Sequence, residues 1–460
     1  MLVANPFALD EKACRVIAVA SLMITWWITE ALPMPAVALI PIVLFPLLGI
    51  ATISATAAPY GNEVIFLFMG GFMIGLAIEK WNLHKRIALS IVKVTGTSGN
   101  RIVLGFILAT GLISMWLSNT ATTMMMFPIA VSVINVIGEG RDKQDMRNFS
   151  LCMMLAIAYA SNFGGIATII GTPPNVAYVS YMNKRFGQEI SFFDWMVVCL
   201  PVALLLMASL YILMVKLLFP NRIASSRETK ELIGSELRGL GKISRPEKRV
   251  LIIFVCTALL WITRDLINQL QIVKLDDNMI AIFGALLLFI FPSGDGRGKL
   301  LDWGDTKNMA WGILLLFGGG ISLANAMEKA GLMEMLGKWI STFSGTDTLI
   351  LLVVIVTVSI FISEVMSNIA QVIVFAPVVT GIAMAANINP FILGVGMTLA
   401  ASCASMMPMG TPPNAIVFAS GHIRMKDMMK AGLVMNIISI ILIVLFCYFM
   451  LPVMVGTIKH

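Results

Sequence analysis

Charge and histidine are scarce in this sequence. Lys and Arg number 32 and Asp and Glu 25, together 12% of 460 residues, where a soluble chain carries about 25%. Half the usual supply for a water-facing surface, with 58% hydrophobic residues and a mean hydropathy of +0.90, excludes a water-soluble globular protein. Three histidines, His84, His422 and His460, leave little for a histidine metal site or a catalytic triad. His84 and His422 both stand in charged boundary segments. Cys14, Cys152, Cys199, Cys256, Cys403 and Cys447 sit singly in apolar runs, with no CxxC or other ligand spacing. They read as small buried hydrophobes, neither a disulfide scaffold nor a transition-metal centre. The net charge of +7 comes from basic residues dispersed between apolar stretches. That is the pattern of cytoplasmic loops and not of a nucleic-acid surface. The N-terminus does not read as a signal peptide, because Asp10 and Glu11 precede the first apolar stretch.

Apolar sequence is abundant instead, enough at about 20 residues per crossing for up to roughly 13 spans. The reading is an all-α polytopic membrane protein. Apolar stretches run from 14–29 to 433–454, and several fall short of a full crossing, which points to re-entrant hairpins or broken helices.

The chain repeats itself. Phe68, Gly70, Gly71, Glu79, Lys80 and Leu83 recur as Phe317, Gly319, Gly320, Glu328, Lys329 and Leu332, each 249 positions later. The same offset carries Ser118, Asn119, Ala121 and Pro128 onto Ser367, Asn368, Ala370 and Pro377. Gly171-Thr172-Pro173-Pro174-Asn175 returns as Gly410-Thr411-Pro412-Pro413-Asn414, and Trp27-Ile28-Thr29 as Trp261-Ile262-Thr263. The division is a first repeat over 1–220, a basic cytoplasmic linker over 221–249 and a second repeat over 250–460. Lys80, Lys85, Arg86, Lys93 and Arg101 make one segment basic, whereas its counterpart with Glu328, Lys329, Glu334 and Lys338 is charge-balanced. Equivalent segments facing opposite sides is what an inverted-topology repeat predicts, and such repeats mark secondary transporters with a site at the membrane midplane. Residues 79–93 read as a helix lying in the interface, and Glu30, Arg264 and Asp265 as snorkelling or capping groups at span ends.

Two paired motifs carry the chemistry. Ser118-Asn119-Thr120 and Ser367-Asn368-Ile369 are each followed by Ala and, nine residues after the Asn, by Pro. Small polar residues amid apolar sequence are costly at membrane depth unless they line a cavity or meet a ligand, so a turn there would join two half-spans into a hairpin. Ser, Asn and Thr also serve as interhelical hydrogen-bond glue, but recurrence in both halves favours a site. In the Gly-Thr-Pro-Pro-Asn pair, two prolines remove two donors and break the helix. The freed carbonyls suit a hard monovalent cation, and the new helix N-terminus suits an anion.

Together these motifs, from Trp26-Trp27-Ile28-Thr29-Glu30 through both Ser-Asn and both Thr-Pro-Pro-Asn segments, closely resemble the divalent anion/sodium symporter family over nearly the whole chain. The resemblance implies a fixed dimerising scaffold, a transport domain that moves as an elevator, and hairpin tips that clasp substrate carboxylates. Carried over, Asn119, Thr120, Ser367, Asn368, Ile369, Thr411 and Pro412 would contact substrate. Ser114, Ser118, Asn119 and Gly171 would hold one sodium ion, and Ser363, Met366, Asn368 and Gly410 another. Ile369 departs from the threonine found there in many bacterial dicarboxylate carriers. Only the polar-leaning segment 1–13 stands where the family commonly carries a further helix.

The expected function is sodium-coupled symport of a C4-dicarboxylate such as succinate, malate or fumarate across a bacterial inner membrane, by a homodimer. Sodium would be the coupling ion, with no organic cofactor. With no Lys or Arg inside either motif, bound cations, helix N-termini and amide donors would balance the dianion, so sodium would bind first. A sodium-independent exchanger, citrate or sulfate as substrate, and an anion channel are the alternatives. An intramembrane hydrolase on Ser118 or Ser367 would need a base that the motifs lack.

Overall fold

A backbone in hydrocarbon must satisfy its own polar groups, and the chain does so with helices. The computed structural model describes residues 10–29, 31–138, 142–187, 189–223, 227–271, 273–296, 298–332 and 347–458. Glu30, Glu334, Lys338 and His460 lie outside the described residues. In order, the first half holds α1 (Glu11–Thr29), α2 (Met34–Val37), α3 (Ile40–Leu47), α4 (Ile53–Ala57), α5 (Glu63–Lys80), α6 (Leu83–Thr95), α7 (Gly99–Ser114), α8 (Asn119–Gly138), α9 (Lys143–Gly165), α10 (Pro173–Phe186) and α11 (Phe192–Ile212). The linker contains α12 (Arg227–Gly239). The second half holds α13 (Arg245–Gln269), α14 (Asp277–Ile290), α15 (Trp311–Lys329), α16 (Thr348–Ser363), α17 (Asn368–Ala385), α18 (Pro390–Ala401), α19 (Pro412–Phe418), α20 (Met425–Leu445) and α21 (Leu451–Ile458). Seven described helices are long and apolar enough to cross a membrane, while α7, α14, α16 and α18 are shorter apolar helices.

Local sequence sets the helix starts. Asp142 accepts hydrogen bonds from the Gln144 and Asp145 amides at the head of α9. Ser191 with Asp194 and Ser244 with Glu247 form capping boxes on α11 and α13. The last long span of each half passes through a π-helical segment, Leu213–Leu218 and Phe446–Met450.

The two halves exchange helices. Along α5, a Cβ at Gly70 would lie 2.5 Å from the Ala281 carbonyl carbon of α14. At the equivalent Gly319 of α15, a Cβ would lie 2.3 Å from the Ala38 carbonyl oxygen, just after α2. Only glycine permits either approach, because the facing atoms are backbone. The Phe68 and Phe317 rings, equivalent residues of the two halves, meet with centroids 5.3 Å apart. Helices α5 and α15 run antiparallel. The last turn of α10 reaches the start of α5 through Asn183 Nδ2 to Glu63 Oε1, 3.1 Å, and the end of α15 through Arg185 to Glu328, 2.5 Å. At the opposite ends, Lys80 pairs with Asp302 at 3.2 Å and Asp305 at 2.7 Å, ahead of α15.

Two boundary residues are held by buried partners. The Arg264 side chain is 14% exposed and pairs with Asp265 at 2.9 Å and Asp277 at 3.1 Å. Asp277 in turn accepts the Phe192 amide at 2.6 Å, tying α11 to α14.

His84, read as a boundary residue, is 3% exposed at the start of α6, with Nδ1 3.1 Å from the Ile78 carbonyl. Burial pushes its imidazole from the ordinary 6.5 down to about 4. The unfolded chain therefore binds the proton that the folded chain refuses, so stability is complete above pH 6.5 and falls as the pH drops toward 4. Between pH 7 and pH 5 this group is expected to cost about 2 kcal/mol of folded-state stability. Thermal melts of wild type and His84→Leu in detergent check it; the variant should show the smaller acid-side decline.

Candidate cation and anion site

The hairpin of α7 and α8 turns at 115–118, which brings Ser114 and Asn119 together. Ser114 Oγ lies 2.8 Å from Asn119 Oδ1 and 2.7 Å from the Ser161 carbonyl of α9. Asn119 Oδ1 also faces the Ser161 carbonyl at 3.0 Å and the Gly171 carbonyl at 3.3 Å. These four oxygens share one hydroxyl proton. Two arrangements relieve the crowding: the amide turns over and donates to both carbonyls, or a hard cation sits among the oxygens. In the orientation with Oδ1 inward, Asn119 Nδ2 donates to Asn162 Oδ1 at 3.3 Å.

The second half repeats this geometry. Ser363 Oγ lies 2.5 Å from Asn368 Oδ1 and 2.5 Å from the Ala401 carbonyl, across the turn between α16 and α17. Again one hydroxyl proton faces two oxygens. Both donor sets consist of hard oxygens, the kind a monovalent cation takes. No cluster of three His, Cys, Asp or Glu residues capable of holding a metal occurs among the described residues.

Where each named residue lies follows from these turns. Ser118 and Thr120 flank Asn119, half-buried, and Ser118 Oγ accepts the Ala121 amide at the head of α8. Ser367, Asn368 and Ile369 have the same half-burial at the other tip. Met366 is buried, and Gly410 lies against Glu364, whose Oε2 would be 3.0 Å from a Cβ there. Thr411 is buried and Pro412, at the first position of α19, is exposed. The structure brings Asn119 and Thr411 into one chain of hydrogen bonds through Asn162, whose Nδ2 donates to Thr411 Oγ1 at 3.1 Å.

The breaks between α9 and α10 and between α18 and α19 follow from the prolines. Thr172 and Thr411 are extended, φ −144° and −145°, as the residue before proline must be. The carbonyls released there are not all free. Asn175 Nδ2 donates to the Gly165, Ile166 and Thr168 carbonyls, at 3.3, 3.4 and 2.8 Å. Asn414 Nδ2 does the same to Ala404 and Met407, each at 3.2 Å. The Asn of each motif is a tie for the unwound strand, which leaves the Gly171 carbonyl to face Asn119.

Three residues escaped the sequence reading. Asn162 has Ala401 at the equivalent place in the second half, so no repeat marked it; its signal was the Ser161-Asn162 pair inside an otherwise apolar run. Gly165 faces Asn119 so closely that a Cβ would be 2.3 Å from Oδ1; the Gly164-Gly165 pair just before the break was its only signal. Glu364, 4% exposed, precedes the second Ser-Asn motif by three residues and stands where the first half has Met115.

Residues 1–455 match the model of the sodium:sulfate symporter transmembrane region. The chain is 38% identical to a sodium-dependent dicarboxylate transporter, SdcS, of Staphylococcus saprophyticus, over 99% of this chain and 89% of that one. It is 39% identical to SdcS of Staphylococcus aureus strain NCTC 8325 over the same shares. Its fold is similar to that of the crystallised Alcanivorax borkumensis YdaH transporter, with a TM-score of 0.62 at 14% identity over 96% of this chain and 99% of that one. A family model spanning residues 1–455, and a helical architecture among the described residues, lead to one assignment: the chain belongs to the sodium:sulfate symporter transmembrane family, and is a multi-pass membrane transporter and not an enzyme.

Proposed function

We propose that this protein is a sodium-coupled symporter of dicarboxylates in the bacterial inner membrane, with C4-dicarboxylates such as succinate, malate or fumarate as its cargo. The observation that carries this reading is the oxygen cluster of Ser114, Asn119, Ser161 and Gly171, matched in the second half by Ser363, Asn368 and Ala401. Two such clusters suit two small hard cations. The identity to the two staphylococcal transporters supports sodium as the ion and a dicarboxylate as the anion.

The anion sits at the tips, against the N-termini of α8 and α17, where helix dipoles and amides favour negative charge. No Lys or Arg belongs to either motif, so the cations supply the balancing positive charge. Sodium therefore binds first. Succinate binding measured by calorimetry is expected to weaken by more than about tenfold when potassium replaces sodium; equal affinity in both salts would rule the order out.

The two halves act as inverted-topology repeats, a reading supported by the antiparallel run of α5 and α15 and by the meeting of Phe68 with Phe317. Hairpins and broken spans form the moving part of an elevator. The contacts Asn183 to Glu63 and Arg185 to Glu328, at the rim of the bundle, are ones that such a movement would break. The same reading makes the protein a homodimer, which cross-linking in native membranes tests.

Uptake of radiolabelled succinate into proteoliposomes decides the function. An inward sodium gradient should drive accumulation, and potassium in its place should not. Uptake that ignores sodium but requires succinate inside would instead identify an exchanger.

A further inference from the structure

A carboxylate at membrane depth is costly unless every lone pair is met. Glu364 directly follows Ser363, and both of its carboxylate oxygens accept hydrogen bonds. Oε1 accepts the amides of Ser405 and Met406, each at 2.9 Å, and Nδ2 of Asn436 from α20 at 2.7 Å. Oε2 accepts the Met407 amide at 2.8 Å. Three successive amides of an unwound strand form the kind of concavity that elsewhere holds a bound anion, and here the chain fills it with its own side chain. The first half ties the equivalent positions with the roles reversed: Thr168 donates from its side chain to the Met115 carbonyl, at 2.5 Å. Met115 is the counterpart of Glu364, and Thr168 that of Met407. Both halves thus fasten a hairpin tip to an unwound strand, but only the second does so with a charge.

We propose that Glu364 is the positioning residue of the second cation site. Its carboxylate clamps the strand at 405–407 onto the tip that carries Ser363 and Asn368, and its charge draws the cation there, so that the second site is organised before any ion arrives. This inference rests on the symporter reading given above. It makes the two sites inequivalent: the first, built of neutral oxygens alone, is the one whose order depends on its ion.

The test is sodium-dependent succinate uptake in proteoliposomes of wild type, Glu364→Gln, Glu364→Asp and Asn436→Ala. Glu364→Gln is expected to raise the half-saturating sodium concentration by about 10- to 100-fold, with much less change in half-saturating succinate once sodium is saturating. Glu364→Asp keeps the charge and should recover part of that loss, and Asn436→Ala, which removes one donor to Glu364 and one acceptor of the Ser405 amide but no charge, should shift sodium far less. A folded Glu364→Gln protein with wild-type sodium dependence overturns the proposal. So does an equal sodium shift in Asn436→Ala, since that would make the effect one of packing. If Glu364→Gln does not fold, Glu364→Asp decides, and an unshifted sodium curve there sinks the proposal. Wild-type uptake indifferent to sodium removes the symporter reading and this inference together, whereas sodium-dependent wild type with an unshifted variant removes this inference alone.

Discussion

Replacing Asn119 with alanine is expected to lower sodium-driven succinate uptake by about a hundredfold or more. The side chain works at both ends. Its oxygen faces Ser114 Oγ and the Ser161 and Gly171 carbonyls, and its nitrogen holds Asn162, which in turn holds Thr411 of the second half. Alanine removes a cation ligand and releases Asn162 at membrane depth, where each unmet polar group costs about 1–3 kcal/mol. Asn368→Ala should behave alike, because Asn368 meets Ser363 in the same geometry. Thr120→Ala, beside Asn119 at the proposed anion seat but outside the oxygen cluster, should raise half-saturating succinate and leave half-saturating sodium nearly unchanged. The uptake assay is read alongside gel filtration of each variant. An Asn119→Ala protein that is monodisperse yet transports at the wild-type rate would remove the oxygen cluster from the mechanism.

Gly70→Ala is the second large effect, and it falls on folding. The added methyl would stand 2.5 Å from the Ala281 carbonyl carbon and 2.6 Å from its oxygen, so α5 and α14 must separate. Overpacking against rigid backbone costs about 1–3 kcal/mol or more, and close approach through small residues is a main source of association between membrane helices. The expected result is a sharp fall in folded, monodisperse protein and in melting temperature. Gly61→Ala, where a Cβ meets nothing within 4 Å, is the control and should be neutral. Gly319→Ala, facing the Ala38 carbonyl across the equivalent crossing, should repeat the Gly70→Ala result. Equal melting temperatures for all three would show that the exchange of helices between halves contributes little to stability.

The repeat offset placed Gly70 and Gly319 in one register, yet nothing in the sequence said that each would rest on the other half. The paired Thr-Pro-Pro-Asn motifs announced two broken helices because proline removes donors wherever it stands. The same reasoning left their carbonyls free, and several were found held by Asn175 and Asn414, a bond that depends on the strand folding back over ten residues or fewer. His84 looked like a boundary residue because its neighbours Lys85 and Arg86 are charged; the packing of α6 turned its ring inward and paired Arg86 with the buried Glu247, 2.9 Å away.

What the sequence by itself determined is what acts locally or by composition: a helical membrane chain, its duplication, the two hairpin turns and the two breaks. Hydropathy, proline and small polar residues in apolar runs enforce these whatever surrounds them. The tertiary structure alone decided which oxygens converge. Asn119 meets Ser161 and Gly171, Asn162 joins Asn119 to Thr411, and Glu364 closes on the amides of 405–407. These partners lie on different helices. A charge or amide far along the chain carries no periodicity or spacing that names its partner, and only the burial of both in one low-dielectric site makes their pairing obligatory.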